Sequence, residues 1–200
     1  PPAAVTPTGH STNPPARFTE ASLVKRLEEL GIGRPSTWAS IIQTVQDRGY
    51  VWKKGQALVP TWTAFAVVRL LEDHFPDLVD YELTATIEAD LDAIADGERS
   101  KDDWLKSFYW GDDMLPGLKR LVEENLDQID AAAINTFHIA VDDDGVDIVS
   151  KPGRYGPYIK RGDDTVGIPD DLPPDELTRD EALRLLSMPK SDEPIGHWEG

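Results

Sequence analysis

Two hundred residues, 40% of them apolar and 28% charged, suffice for one ordinary domain or two small ones built around a hydrophobic core. The absence of cysteine excludes a disulfide framework, a thiolate nucleophile and a cysteine-based zinc site, and makes reducing cytoplasm the expected compartment. The longest apolar runs, such as Ala64 to Val68, are too short to cross a bilayer, which excludes a membrane-spanning protein. Pro1-Pro2-Ala3-Ala4 has neither the basic nor the apolar region of a signal peptide.

The formal charge of −17 opposes binding to phosphate, but it is unevenly spread: residues 15–60 carry +3, residues 61–130 carry −12 and residues 131–200 carry −8. Any nucleic-acid contact is therefore expected on one surface, with the remaining charge solvating the fold.

Along the chain, Pro1, Pro2, Pro7, Pro14 and Pro15 prevent a regular element, so residues 1–17 read as an extended lead-in to a chain cut from something longer. Thr19 is a good N-cap, and Leu23, Val24, Leu27 and Leu30 predict a helix over 20–30, stopped by Gly31. Pro35 suits a first turn, and Trp38, Ile41, Ile42 and Val45 give a second apolar stripe over about 36–48. Tyr50 to Trp52 and Ala57 to Val59 read as a hairpin with Lys53 to Gln56 as its turn. Two helices across a glycine turn followed by a hairpin make a winged helix-turn-helix outline.

Apolar spacing predicts further helices from Ala64 to Phe75, from Leu83 to Ile94, and over roughly 100–109 and 117–129. Thus 18–130 reads as a mainly α unit with one small hairpin. At Ala131 to Ala133 the character changes, and a small α/β module is expected over 135–200, probing into which the chain sends a hairpin around Asp142 to Gly145. It continues through Gly153-Arg154-Tyr155-Gly156-Pro157-Tyr158 and ends with a helix whose capping box is Thr178 with Glu181.

The segment Gly31 to Ile42 carries the most chemistry. Arg34, the hydroxyls of Ser36 and Thr37, and the unpaired N–H groups of a helix start together form a candidate anion site. The alternative is that a hydroxyl caps the helix while Arg34 pairs with a carboxylate. Arg48 lies one helix length on, and Trp38 either stacks on a base or fills the core. Lys53 and Lys54 are read as a solvated turn. In the last module, Arg154, Tyr155, Tyr158, Lys160 and Arg161 interleave cations with aromatics, a pattern suited to stacking bases and neutralising phosphates; here too the tyrosines can instead serve the core. Alternation places Tyr158 and Lys160 on one strand face, and Gly156-Pro157 leaves Tyr155 free to point elsewhere. The four histidines have no partner at a recognisable spacing.

Three stretches together, Pro14 to Val24, Gly31 to Ile42 and Gln46 to Val51, resemble the bacterial type IA DNA topoisomerases, and Leu83 to Glu98 resembles a helix near the end of that core. The Gly153 to Tyr158 stretch is similar to the cysteine-free C-terminal repeats of the actinobacterial type. The resemblance implies an enzyme that relaxes negatively supercoiled DNA by transient single-strand cleavage through a tyrosine, with Mg2+ held by a Toprim acidic cluster, in the bacterial cytoplasm at the nucleoid. None of the tyrosines here has the nucleophile's surroundings, and Asp142 with Asp144 reads as a hairpin turn, so no catalytic residue and no cofactor is expected within this fragment. The resemblance implies that Arg34, Ser36, Thr37 and Arg48 contact single-stranded DNA, with the missing remainder of the enzyme as a partner. A duplex-reading winged-helix regulator and an acidic protein-interaction module are the rival readings.

Overall fold

The computed structural model describes residues 9, 12, 14–112 and 116–188; most of the expected lead-in, and the end of the last module from 189, lie outside the described residues. The first helix, α1 (Glu20–Glu29), starts from a reciprocal cap in which Thr19 Oγ1 accepts from Ser22 N and Ser22 Oγ accepts from Thr19 N. The second, α2 (Pro35–Asp47), has proline in its first turn. An antiparallel hairpin follows, β1 (Val51–Lys54) and β2 (Ala57–Pro60). Lys53 and Lys54, expected in the turn, are strand residues; only Gly55 and Gln56 turn, because Lys54 pairs with Ala57.

Thr61 then joins two elements. Its Oγ1 donates to Gly49 O at 2.8 Å and accepts from Ala64 N, capping α3 (Trp62–His74) onto the end of α2. After a 3-10 turn at Pro76–Val79 come α4 (Tyr81–Ala95), α5 (Lys101–Trp110) and α6 (Leu118–Asn125). The helix expected over 117–129 is shorter, since Leu126–Gln128 tightens into a 3-10 turn. The alanine run at the expected boundary is a one-turn helix, α7 (Ala131–Ile134), capped by Asp130.

The last part is an antiparallel sheet in the order β3 (Phe137–Val141), β4 (Asp147–Lys151), β5 (Tyr158–Arg161) and β6 (Asp164–Gly167), closed by α8 (Arg179–Ser187). The β5–β6 pairing is additional to the sequence reading: Asp164 to Gly167 is short and lacks an apolar alternation. One sheet face is core, with Ile148, Ser150 and Ile159 all 0% exposed. The register puts Val149, Lys160 and Thr165 together on the opposite face, with Lys151 beside Tyr158.

The core crosses the expected boundary. Trp62 and Ala66 of α3 share a buried cluster with Phe137, Ile148, Ile159 and Leu185, and the Trp62 and Phe137 rings stand 5.3 Å apart. A mainly α part and a small α/β part are thus joined by apolar packing, in addition to the chain itself.

Candidate nucleic-acid interface

At the start of α2 the chain turns through Gly33, whose φ of +69° is disfavoured for other residues. A Cβ there would also lie 3.0 Å from Trp38 Cδ1. Trp38 donates from Nε1 to Ile32 O at 2.9 Å, so its indole braces this turn while it lines the groove between α1 and α2. Thr37 Oγ1 accepts from Arg34 N at 2.9 Å and donates to Arg34 O at 3.0 Å, which is a capping role. Ser36 is exposed, and its hydroxyl has no hydrogen bond among the described residues.

The Arg34 side chain turns toward α4. It donates to Glu88 O at 3.1 Å and to Asp92 Oδ2 at 2.5 Å, and it lies 3.6 Å from Glu88 Oε2. The hydrogen bond to Asp92 raises the Arg34 pKa further above its ordinary value. Of the two readings open from spacing, the structure has the carboxylate pairing; a phosphate at this place would have to compete with Asp92. Glu88 and Asp92 escaped the sequence reading, although their spacing of four puts both on one face of α4.

Arg48 differs. It is exposed at the end of α2, and its side chain has no hydrogen bond or ion pair among the described residues. The nearby lysines are engaged: Lys53 Nζ lies 2.6 Å from Glu20 and Lys54 Nζ 3.2 Å from Glu176.

In the last part, Tyr155 is 95% exposed, with the Arg154 guanidinium 5.6 Å from its ring centroid. Tyr158 is half-buried, on the sheet face of Lys160, as alternation predicts. Its ring explains Gly153, where a Cβ would come within 2.9 Å of it and within 2.7 Å of Gly156 O. Arg161, grouped with these residues by sequence, is drawn away by Asp142 and Asp144. Hydrogen bonding to Asp142 raises its pKa, and Asp142 is lowered, chiefly by the Val146 N–H.

These two regions meet. A crevice of about 230 Å3 is lined by Trp52, Thr61, Trp62 and Thr63 on one side and by Gly153, Gly156, Pro157 and Asp170 on the other. Gly49, which follows Arg48, and Gly153, which precedes Arg154, both line it. Trp62, Thr63 and Asp170 had no signal in the sequence beyond their ordinary structural roles.

The residues present do not fit the implied Mg2+. Among the described residues no group of three or more histidine, aspartate or glutamate side chains could hold a metal ion, and the Asp142 carboxylate is taken up by Asp144 N, Val146 N and Arg161.

Residues 2–106 match the DNA topoisomerase family and residues 142–194 the topoisomerase C-terminal repeat. Over 209 residues the chain is 50% identical to DNA topoisomerase 1 of Mycobacterium tuberculosis, covering 96% of this chain and 22% of that protein. DNA topoisomerase 1 of Streptomyces coelicolor is 49% identical over the same shares. The solved structure of full-length topoisomerase I from Thermotoga maritima is similar with a TM-score of 0.61 and 32% identity, over 80% of this chain and 26% of that one. The chain thus spans about a fifth of the length of its curated relatives.

Proposed function

This chain belongs to the DNA topoisomerase family, and on that premise we propose that it is the single-strand-binding section formed by the end of a type IA core and its first C-terminal repeat module. The whole enzyme relaxes negatively supercoiled DNA by cutting one strand, passing the other and resealing. Its nucleophilic tyrosine and its Mg2+-holding acids belong to parts outside these 200 residues, and those parts are the natural protein partner. The enzyme works in the cytoplasm, on the nucleoid; no helix among the described residues is long and apolar enough to cross a membrane.

The observation that carries this reading is that Arg48 and Arg154 are both exposed and without a carboxylate partner among the described residues, whereas Arg34, Lys53 and Lys54 are paired with acids. Both can neutralise phosphates without displacing an internal ion pair. Tyr155, almost wholly exposed beside Arg154, supplies a stacking face that any base can use. The helix-turn-helix with its hairpin, α1 through β2, acts as a winged-helix support that holds Arg48 at the edge of the strand path.

The test is direct binding of the 200-residue chain to a fluorescent single strand and to its duplex at low salt. Tighter binding of the single strand is expected, together with neither plasmid relaxation nor a covalent adduct on denaturing gels, with or without Mg2+. Absence of binding to either nucleic acid would overturn the reading, and a trapped adduct would overturn the placement of the nucleophile elsewhere.

A further inference from the structure

We propose that the α5–α6 face is a docking surface for a segment of the same enzyme outside these 200 residues, one that presents an apolar ridge flanked by lysine or arginine. The proposal takes from the reading above only that the chain is a section of a longer enzyme, and it goes beyond that reading by assigning where another section is seated.

No residue of α4, α5 or α6 is buried, although the last two carry a clear apolar stripe. Leu105, Phe108 and Tyr109 of α5 have the i, i+3, i+4 spacing that Leu118, Leu121 and Val122 repeat on α6. The two helices pack together, and Phe108, Leu118 and Leu121 line a groove of about 230 Å3 with Leu78 and Leu83. The remainder of each stripe stands in water: Leu105 is 46% exposed, Tyr109 44% and, just past the end of α6, Leu126 60%. An apolar surface of this continuity marks a place where another chain segment sits.

Helices this short need the cover. α5 has ten residues and α6 eight, fewer than the roughly 12–15 at which an isolated helix becomes even marginal in water. The buried cluster shared by α3 and the repeat module includes no residue of α4, α5 or α6, so the chain's own core does not supply it.

Charge identifies the occupant. Asp77 and Asp80 line the groove, the Asp77 carboxylate has no hydrogen bond or ion pair among the described residues, and residues 61–130 carry a net −12. A second copy of this chain would bring the same acids against the face, which opposes self-association; a ridge with cationic margins complements it. These 200 residues span about a fifth of the length of the curated relatives, so most of the enzyme is available to provide that ridge.

The test is amide hydrogen exchange, read by mass spectrometry, on the 200-residue chain and on the full-length enzyme. Exchange across α5 and α6 is expected to be slower in the full-length enzyme by about a hundredfold or more. Leu105→Lys with Leu126→Lys is expected to leave the circular dichroism and the single-strand affinity of the 200-residue chain unchanged, and to return α5 and α6 of the full-length enzyme to fast exchange. Leu126→Lys alone, outside α6, repeats the comparison if the double variant loses helix. Equal exchange in the chain and the enzyme overturns the docking surface, as does protection retained in the variants. Protection in the 200-residue chain that grows with its concentration assigns the face to a second copy and overturns the occupant. Failure of the parent chain to bind a single strand overturns the reading above and leaves this surface standing.

Discussion

Lys54 of β1 and Glu176 of the last module, 122 residues apart in sequence, are ion-paired at 3.2 Å, and Glu176 also accepts from Arg17 at 3.3 Å. Arg17 is in turn paired with Asp175 at 2.7 Å, and this hydrogen bond holds the Asp175 carboxyl below its ordinary range. Two acids of the repeat module thus cover two cations of the hairpin region. The Lys54 and Glu176 side chains are about half exposed, at 50% and 45%, so the pair adds little to stability.

If phosphates compete for Lys54 and Arg17, removing the covering charge strengthens binding. Asp175→Asn with Glu176→Gln is expected to raise single-strand affinity by a factor of roughly two to five at low salt, with the gain fading as salt rises. An affinity unchanged at every salt concentration would mean that the strand does not pass this face.

Arg48 and Arg34 separate contact from scaffold. Arg48→Ala is expected to weaken single-strand binding and to make the log-log salt slope shallower by roughly 0.7, at an unchanged melting temperature. Arg34→Ala breaks the link to Asp92 and Glu88 and is expected to lower the melting temperature. Asp92→Asn weakens the grip on Arg34, so it should raise affinity if Arg34 reaches phosphate; affinity unchanged at every salt concentration would identify Arg34 as purely structural.

The Trp62–Phe137 contact makes the two parts fold together. Phe137 is 8% exposed and also lies under the Arg69 guanidinium, 4.4 Å from its ring centroid. Phe137→Ala is expected to cost roughly 3–5 kcal/mol and to lower a single denaturant transition seen by both tryptophan fluorescence and far-ultraviolet circular dichroism. Two transitions, only one of them shifted, would show that the parts fold independently.

Asp142 gives the acid limb. Its pKa is held below the ordinary 3.8 by the Val146 N–H first, then by Arg161 and the Asp144 N–H. A carboxyl lowered by folding contributes stability that is fully present above its unfolded value and is lost as pH falls through the folded value. Asp142→Ala is therefore expected to lower the melting temperature at neutral pH, with the gap to the parent closing only below about pH 4. A gap that stayed constant down to the acid transition would assign the loss to packing.

Local signals in the sequence determined the longer helices and the place of the first hairpin, though not the one-turn α7 or the extent of β1. Thr19, Pro35 and Gly31 act through bonds and backbone angles within a few residues, so α1 and α2 were legible before any tertiary contact was known. The alternation that places Tyr158 with Lys160 and frees Tyr155 is equally local. The partners of the cations needed the tertiary structure. Arg34 and Arg48 look alike in sequence, yet the guanidinium of one meets Asp92, 58 residues on, and the other meets no acid among the described residues. The same is true of the crevice, whose walls come from residues about a hundred positions apart. Trp62 has the periodicity of an ordinary helix-face residue; only its burial against Phe137 fixes the spacing of those walls, because that packing depends on shape and distance that a linear pattern does not encode.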